Sequence, residues 1–449
     1  MKFGTDGVRG VAGRPPLDAS TITRLGAALV RSLAAAHTRA HQDARPVSIV
    51  VGRDTRESGG WIEAALARGI TAAGGRLTSL GVMPTPGVAY VTRTGPFDLG
   101  VVISASHNPF EDNGIKVFSG QGEKFGEAEE RDVEDIVNDA SWTVADVEPR
   151  IETSCLVDEY LAHTRRLFAD AGPLSGARVA IDMGHGATTA TAPRLFRALG
   201  FDVIELGNAP NGRNINLDCG STHPQRLAAA VLEHGCRLGV AFDGDGDRAI
   251  FVDHRGEVVN GDAVLLLCAT RLKARGELPG DTVVATVMSN LGLELALKAR
   301  GIRLVSTAVG DKYVMDEMLR HGYAIGGEQS GHVICAEHLF TGDGLATALL
   351  VLRAMAESGR ELADLAGELT MYPQVLLNVP VRERRDVSSI PEIAAAVARV
   401  NAAMAGRGRV LIRYSGTEPL LRIMIEGSDD ATIRGWAEEI AAPVRARLA

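Results

Sequence analysis

The chain has 449 residues, 47 Lys and Arg against 56 Asp and Glu for a net charge of −9, 45% hydrophobic residues and only 4% aromatics. That length exceeds one typical core and predicts several domains built on Ala, Val, Leu and Ile. The acidic balance argues against general nucleic-acid binding, and no apolar run reaches membrane-spanning length, so neither nucleic acid nor membrane is an expected partner.

Strand-like runs alternate with helix-like ones along most of the chain. The strand at 47–51 precedes a helical pattern at 61–73, and 99–103 is a further apolar strand. The run 178–182 precedes a helix near 190–199, 238–242 reads as a buried strand, and 282–287 precedes a helix near 291–300. Such βα alternation predicts α/β layers with mainly parallel strands, whose ligands sit at the strands' carboxyl ends. The last part differs: strands at 375–381, 410–413 and 421–426 with helices at 390–403 and 431–448 form an α+β module. The expected fold is three α/β domains with mixed, mainly parallel sheets plus a smaller C-terminal α+β domain. Boundaries are expected at 1–150, 151–253, 254–368 and 369–449. Gly184-His185-Gly186 mimics the start of a dinucleotide fingerprint, but the third glycine position is Thr189, so it reads as a strand-to-helix turn. Five scattered cysteines (155, 219, 236, 268 and 335) with no C-x-x-C pair argue against disulfides or zinc, and with no apolar signal region in Met1–Asp6 they suggest a reducing, cytoplasmic setting.

The most informative stretch is Asp243-Gly244-Asp245-Gly246-Asp247-Arg248, at the end of the strand 238–242. Alternating residues of an extended chain point the same way, so the three carboxylates are expected to converge. A divalent cation relieves their repulsion, and hard oxygen ligands suit Mg²⁺ or Mn²⁺. An EF-hand loop is excluded, because its sixth and twelfth positions fall on Arg248 and His254. A second stretch, Ser104-Ala105-Ser106-His107-Asn108-Pro109, follows the strand 99–103 and leads to Asp112-Asn113-Gly114-Ile115-Lys116. A serine there suits a nucleophile or phosphate carrier, or equally a turn. The hydrolase elbow G-x-S-x-G is absent, and His107, adjacent to Ser106, is expected to face away from it.

Together these stretches resemble the signature of the α-D-phosphohexomutases. The resemblance extends to Gly4-Thr5-Asp6-Gly7-Val8-Arg9-Gly10, to the sugar loop Gly327-Glu328-Gln329-Ser330-Gly331-His332, and to the phosphate loop Arg413-Tyr414-Ser415-Gly416-Thr417-Glu418-Pro419. It implies four domains around a central cleft. Gln329, where glucose and mannose members usually carry Met, points to the amino-sugar branch. That branch interconverts glucosamine 6-phosphate and glucosamine 1-phosphate and supplies UDP-N-acetylglucosamine and cell-wall precursors. A phosphomannomutase or phosphoglucomutase of the same mechanism, a metal-dependent phosphatase and a non-catalytic sugar-phosphate binding protein are the alternatives.

The resemblance also implies roles. Ser106 carries a phosphoryl group, and one Mg²⁺ is held by Asp243, Asp245, Asp247 and Ser106. A glucosamine or glucose 1,6-bisphosphate is the intermediate and activator. Lys116, its pKa lowered by nearby cations, is expected as general acid or base. Arg248 is expected to hold the phosphate or pair with an aspartate, and His107 to orient the loop or bind phosphate. Thr5, Arg9, Gly310, Asp311, Glu328 and Ser330 are expected to contact the sugar phosphate, with Arg413, Ser415, Gly416, Thr417 and Arg422 on its distal phosphate. Arg53 and Asp54 suit either a cleft or a solvated turn. A small-molecule sugar phosphate is the expected partner, and a homodimer and a priming kinase remain open.

Overall fold

The computed structural model describes residues 1–4, 6–39, 45–169, 172–405, 407–415 and 419–449. It divides into two compact units, Met1–Met288 with Ile302–Gly367, and Ser289–Gly301 with Glu368–Ala449.

The first unit opens with β1 (Val8–Val11), α1 (Ala19–Arg39), β2 (Ser48–Arg53), α2 (Gly59–Ala72), β3 (Arg76–Val82), α3 (Thr85–Thr94), β4 (Leu99–Ile103), β5 (Asp112–Ser119), α4 (Glu127–Asn138) and β6 (Ile151–Thr153). The strands form one mixed sheet in the order β1-β5-β4-β2-β3-β6. Next come α5 (Val157–Arg165), β7 (Arg178–Asp182), α6 (Ala192–Ala198), β8 (Asp202–Leu206), α7 (Gln225–His234), β9 (Leu238–Phe242), β10 (Ala249–Asp253) and β11 (Val258–Val259), with sheet order β11-β10-β9-β7-β8. A third sheet, β13-β12-β14-β15, follows from α8 (Gly261–Ala274), β12 (Thr282–Thr286), α9 (Leu291–Ala299), β13 (Arg303–Thr307), α10 (Asp311–His321), β14 (Ile325–Gly327), β15 (Val333–Cys335), α11 (Gly344–Ser358) and α12 (Leu362–Ala366). Of these, α9 belongs to the second unit. The second unit is completed by β16 (Gln374–Pro380), α13 (Pro391–Met404), β17 (Gly408–Tyr414), β18 (Leu420–Gly427) and α14 (Asp430–Leu448), its strands antiparallel in the order β16-β18-β17.

The apolar runs behave as their composition dictates. Every residue of β4, β9 and β10 is buried, because helices or neighbouring segments cover both sheet faces. Ile49, Val51, Val101 and Ile103 share a core with Leu25, Leu29, Ile62 and Leu66 of α1 and α2. Each such side chain contributes roughly 1.5–3 kcal/mol by leaving water. Two short edge strands extend their sheets. Ile151 pairs with Leu77, so a break after residue 150 would cut β6 from its sheet. Val258 pairs with Val252, so the second sheet runs past residue 253. Gly184-His185-Gly186 is the turn expected of it, with a short 3₁₀ turn following at Ala187–Ala190. Among the described residues, no helix is long and apolar enough to cross a membrane.

Gly7 fixes the approach of the N-terminal segment to β5. Its φ is +81°, and a Cβ there would lie 2.3 Å from the Ile115 carbonyl oxygen. Only glycine meets both demands. Gly7→Ala is expected to cost about 2 kcal/mol or more. A urea midpoint equal to the parent's would contradict this.

Candidate active site

Ser106 lies in the loop between β4 and β5, with 1% of its surface exposed. Its φ is +52°, a region few non-glycine residues occupy. That backbone turns Oγ toward the end of β9, where it donates to Asp243 Oδ2 at 2.5 Å. It also brings the neighbouring ring close: His107 Nδ1 is 3.4 Å from Ser106 Oγ. The expectation that His107 faces away assumed an extended chain, and the left-handed residue removes that assumption.

The three aspartates do converge, by a different route from the one expected. The segment after β9 is a turn rather than an extended strand: Gly246 N–H donates to Asp243 O at 3.2 Å, and Gly246 has φ +73°. One oxygen from each of Asp243, Asp245 and Asp247 lies within 4.8 Å of the others, and all three residues are buried. Asp245 Oδ2 accepts from Thr85 Oγ1 at 2.6 Å and from Lys116 Nζ at 2.8 Å. Asp245 Oδ1 and Asp247 Oδ1 are buried without a hydrogen-bond partner. The closest basic groups to the latter are His332 Nδ1 at 3.6 Å and Arg248 Nε at 3.8 Å. Orphaned carboxylate oxygens in a buried, all-oxygen donor set fit a hard divalent cation. Burial first, then the charges of Asp247 and Asp245, push the Asp243 carboxyl well above its ordinary pKa.

Lys116 reverses its expectation. Its ammonium lies 2.8 Å from Asp245, 3.1 Å from Asp247 and 3.1 Å from Asp6. Burial alone would lower its pKa, but these three carboxylates hold it well above the ordinary value. Asp6 also accepts from Lys124 at 2.6 Å, and Lys124 pairs with Asp311. His332 Nε2 accepts from Gly342 N–H at 3.0 Å and lies 3.2 Å from Asp311. Arg9 contacts Asp6 and donates to Ala105 O at 3.4 Å. Arg248 donates its backbone N–H to Asp243 Oδ1 at 3.2 Å and places Nη1 3.2 Å from His107 Nδ1. Glu328 accepts from Gly310 N–H and from Ser330 Oγ, both at 3.3 Å. Lys312, next to Asp311, pairs with Glu130 at 2.7 Å.

In the second unit, Arg413 stands opposite Arg422 across β17 and β18. Burial and then Arg422 lower the Arg413 pKa. Ser415 is buried, and its N–H donates to Leu420 O at 2.9 Å. Thr5, Gly416 and Thr417 lie outside the described residues.

Several residues beside the serine and the aspartates carried no expectation: Thr85, Lys124, Asn216 and Arg56. Only Arg56 had a sequence signal, as the last residue of Arg53-Asp54-Thr55-Arg56 after β2. Asp54 is no solvated turn residue. It is fully buried and paired with Arg56 at 2.8 Å.

His107 is pushed down to about 4, by burial first and then by Arg248 and Arg9. A lowered imidazole pKa means the ring is neutral at every pH above that value. In the unphosphorylated, metal-free protein its NMR shifts should stay flat from pH 8 to about 5. A titration near 6.5 would contradict this.

Comparison with known proteins agrees along the whole chain. Residues 1–143 match the phosphoglucomutase/phosphomannomutase alpha/beta/alpha domain I, 158–256 domain II, 260–372 domain III and 376–442 the C-terminal domain. The chain belongs to the phosphoglucomutase/phosphomannomutase family. It is 49% identical to the phosphoglucosamine mutase of Solibacter usitatus, over 99% of this chain and 98% of that one. It is also 49% identical to the phosphoglucosamine mutase of Symbiobacterium thermophilum, over 99% of each. Solved phosphohexomutases share the fold. A Burkholderia thailandensis phosphoglucomutase/phosphomannomutase family protein superposes with TM-score 0.77 at 24% identity, covering 98% of this chain and 97% of that one. The Aspergillus fumigatus N-acetylphosphoglucosamine mutase, solved with GlcNAc-6P and magnesium, gives 0.68 at 17% identity, over 99% and 96%.

Proposed function

We propose that this chain interconverts glucosamine 6-phosphate and glucosamine 1-phosphate through a phosphoserine at Ser106 and a glucosamine 1,6-bisphosphate. The observation that carries this is the Ser106 hydroxyl, buried and 2.5 Å from Asp243 in a cation-ready carboxylate triad. The full-length relatives direct the choice of sugar. Asp243, Asp245 and Asp247 would hold the ion, and Mg²⁺ suits the oxygen donors. A bound Mg²⁺ neutralises charge on the phosphoryl group in transfer.

The residues then divide the work. In one half-reaction the Ser106 O–P bond breaks as a sugar hydroxyl oxygen bonds to phosphorus, giving the bisphosphate. In the other, the phosphate at the opposite end returns to Ser106 and the sugar oxygen leaves. Lys116, an ammonium among carboxylates, gives the departing sugar oxygen its proton. The attacking sugar hydroxyl gives up its proton in the other half-reaction and so restores the ammonium, while Ser106 Oγ exchanges its own proton with Asp243, 2.5 Å away, as its bond to phosphorus breaks or forms. Arg248 and His107 border the serine and orient its phosphate. Glu328 and Ser330 hydrogen-bond sugar hydroxyls, and Glu328 pairs with the 2-ammonium group. Arg413, Arg422 and Ser415 bind the distal phosphate. A hexose 1,6-bisphosphate or a priming kinase supplies the first phosphate. We place the enzyme in the cytoplasm, where its five free thiols stay reduced, and propose a homodimer.

Peptide mass mapping tests the reading. Phosphorylated protein with Mg²⁺ should lose phosphate from the Ser106 peptide on adding glucosamine 6-phosphate, as bisphosphate appears. A Ser106 peptide that keeps its phosphate, or releases it only as inorganic phosphate, would contradict the reading.

A further inference from the structure

Arg56 is buried to 1% exposure, and it touches the catalytic serine only through its backbone. All five of its guanidinium N–H donors are used. Nε donates to Asp54 Oδ2 at 2.8 Å. Nη2 donates to Ser106 O at 3.0 Å and to Asn108 O at 2.8 Å. Nη1 donates to Asp112 O at 3.0 Å and to Pro109 O. One side chain therefore gathers three backbone carbonyls of the serine loop and that of Asp112, which opens β5.

The amide side of Ser106 is tied to the same pair. Its N–H donates to Ser104 Oγ at 2.9 Å, and Ser104 Oγ donates to Asp54 Oδ2 at 2.6 Å. From the second sheet's side, Asn216 Nδ2 donates to Ser106 O at 2.9 Å and to Asn108 O at 3.2 Å. Asn216 is itself anchored, its N–H on Gly184 O at 2.8 Å. The peptide groups on both sides of Ser106 are thus fixed, from two directions. A non-glycine residue at φ +52° persists only where its surroundings over-determine it. The network supplies that constraint, and the outcome is an Oγ aimed at the triad.

We infer that Arg56 and Asn216 are positioning residues that hold the Ser106 backbone left-handed and so aim its oxygen for phosphoryl transfer. This rests on the mutase reading. Lysine cannot replace Arg56, because one ammonium with three donors cannot span four carbonyls and a carboxylate. Asn216→Ala is the milder change, since Arg56 still serves both carbonyls that Asn216 contacts.

The test is single-turnover phosphoryl transfer from glucose 1,6-bisphosphate to Ser106, with Mg²⁺, in full-length parent, Asn216→Ala and Arg56→Lys. The transfer rate should fall about 10- to 100-fold in Asn216→Ala, and further in Arg56→Lys, as expected for a misaimed nucleophile. Bisphosphate affinity and metal affinity should stay within about twofold of the parent. A folded Asn216→Ala that transfers within about twofold of the parent would overturn the inference, as would a loss expressed only in bisphosphate affinity. If Arg56→Lys does not fold, Asn216→Ala decides alone. A parent that takes no phosphoryl group at all overturns the functional reading and the inference with it.

Discussion

Ser106→Ala should remove mutase activity by at least about 10³-fold while the protein still folds and still binds a hexose bisphosphate. The size follows from the covalent role. Without Oγ no phosphoryl group can be stored between the two halves of the reaction, and water is the only remaining acceptor. The hydroxyl has a single strong partner, Asp243, so its loss leaves one buried carboxylate oxygen without its donor, a cost of roughly 1–3 kcal/mol that should leave the fold in place. Initial rates and calorimetric bisphosphate binding check the two halves. An alanine variant with full activity would remove Ser106 from the mechanism. A parent with tight sugar-phosphate binding and no turnover would favour a non-catalytic binding protein.

Stripping the divalent cation should be about as damaging. Chelation is expected to abolish turnover, and Mg²⁺ to restore it, because the oxygen donors are already gathered within 4.8 Å. Asp245→Asn and Asp247→Asn should each lower the rate by about 10²-fold or more and weaken metal binding in parallel. A cation present at 100 times its dissociation constant should raise stability by about 2.7 kcal/mol, seen as a higher melting temperature. The pH dependence has a definite sign. The Asp243 carboxyl is pushed above its ordinary pKa by burial and by Asp247 and Asp245, so it retains a proton to higher pH than a free carboxyl. Metal must displace that proton, so affinity should rise with pH and binding should release protons into the buffer. Calorimetry in two buffers of different ionisation heat measures the release. Affinity that falls as pH rises would contradict the site.

The parts of this site that were legible in the sequence are those carried by one short segment. Apolar runs marked β4 and β9, and polar punctuation after each marked the serine and aspartate loops. What one segment cannot show is which distant charge will face it. Lys116 was expected to sit among cations, yet Asp6 from the N-terminus and Asp245 and Asp247 from the second sheet surround it. The orientation of His107 depended on φ of Ser106, which long-range bonds from Arg56 and Asn216 set. Thr85 and Lys124 had no local signal, because a threonine opening a helix and a lysine after a hairpin have many ordinary uses. The edge strands β6 and β11 are only 3 and 2 residues long, too short for any periodicity to mark them.

The central claim is a 1,6 phosphate shift on an amino sugar, and ³¹P NMR of a three-sugar panel tests it most directly. Purified protein with Mg²⁺ and a trace of hexose 1,6-bisphosphate is given glucosamine, glucose and mannose 6-phosphates in turn. The expected result is fast growth of the 1-phosphate from glucosamine 6-phosphate, much slower conversion of the other two, and no free phosphate. Faster conversion of glucose or mannose phosphate would contradict the amino-sugar assignment, and free phosphate without any isomer would contradict the mutase mechanism itself.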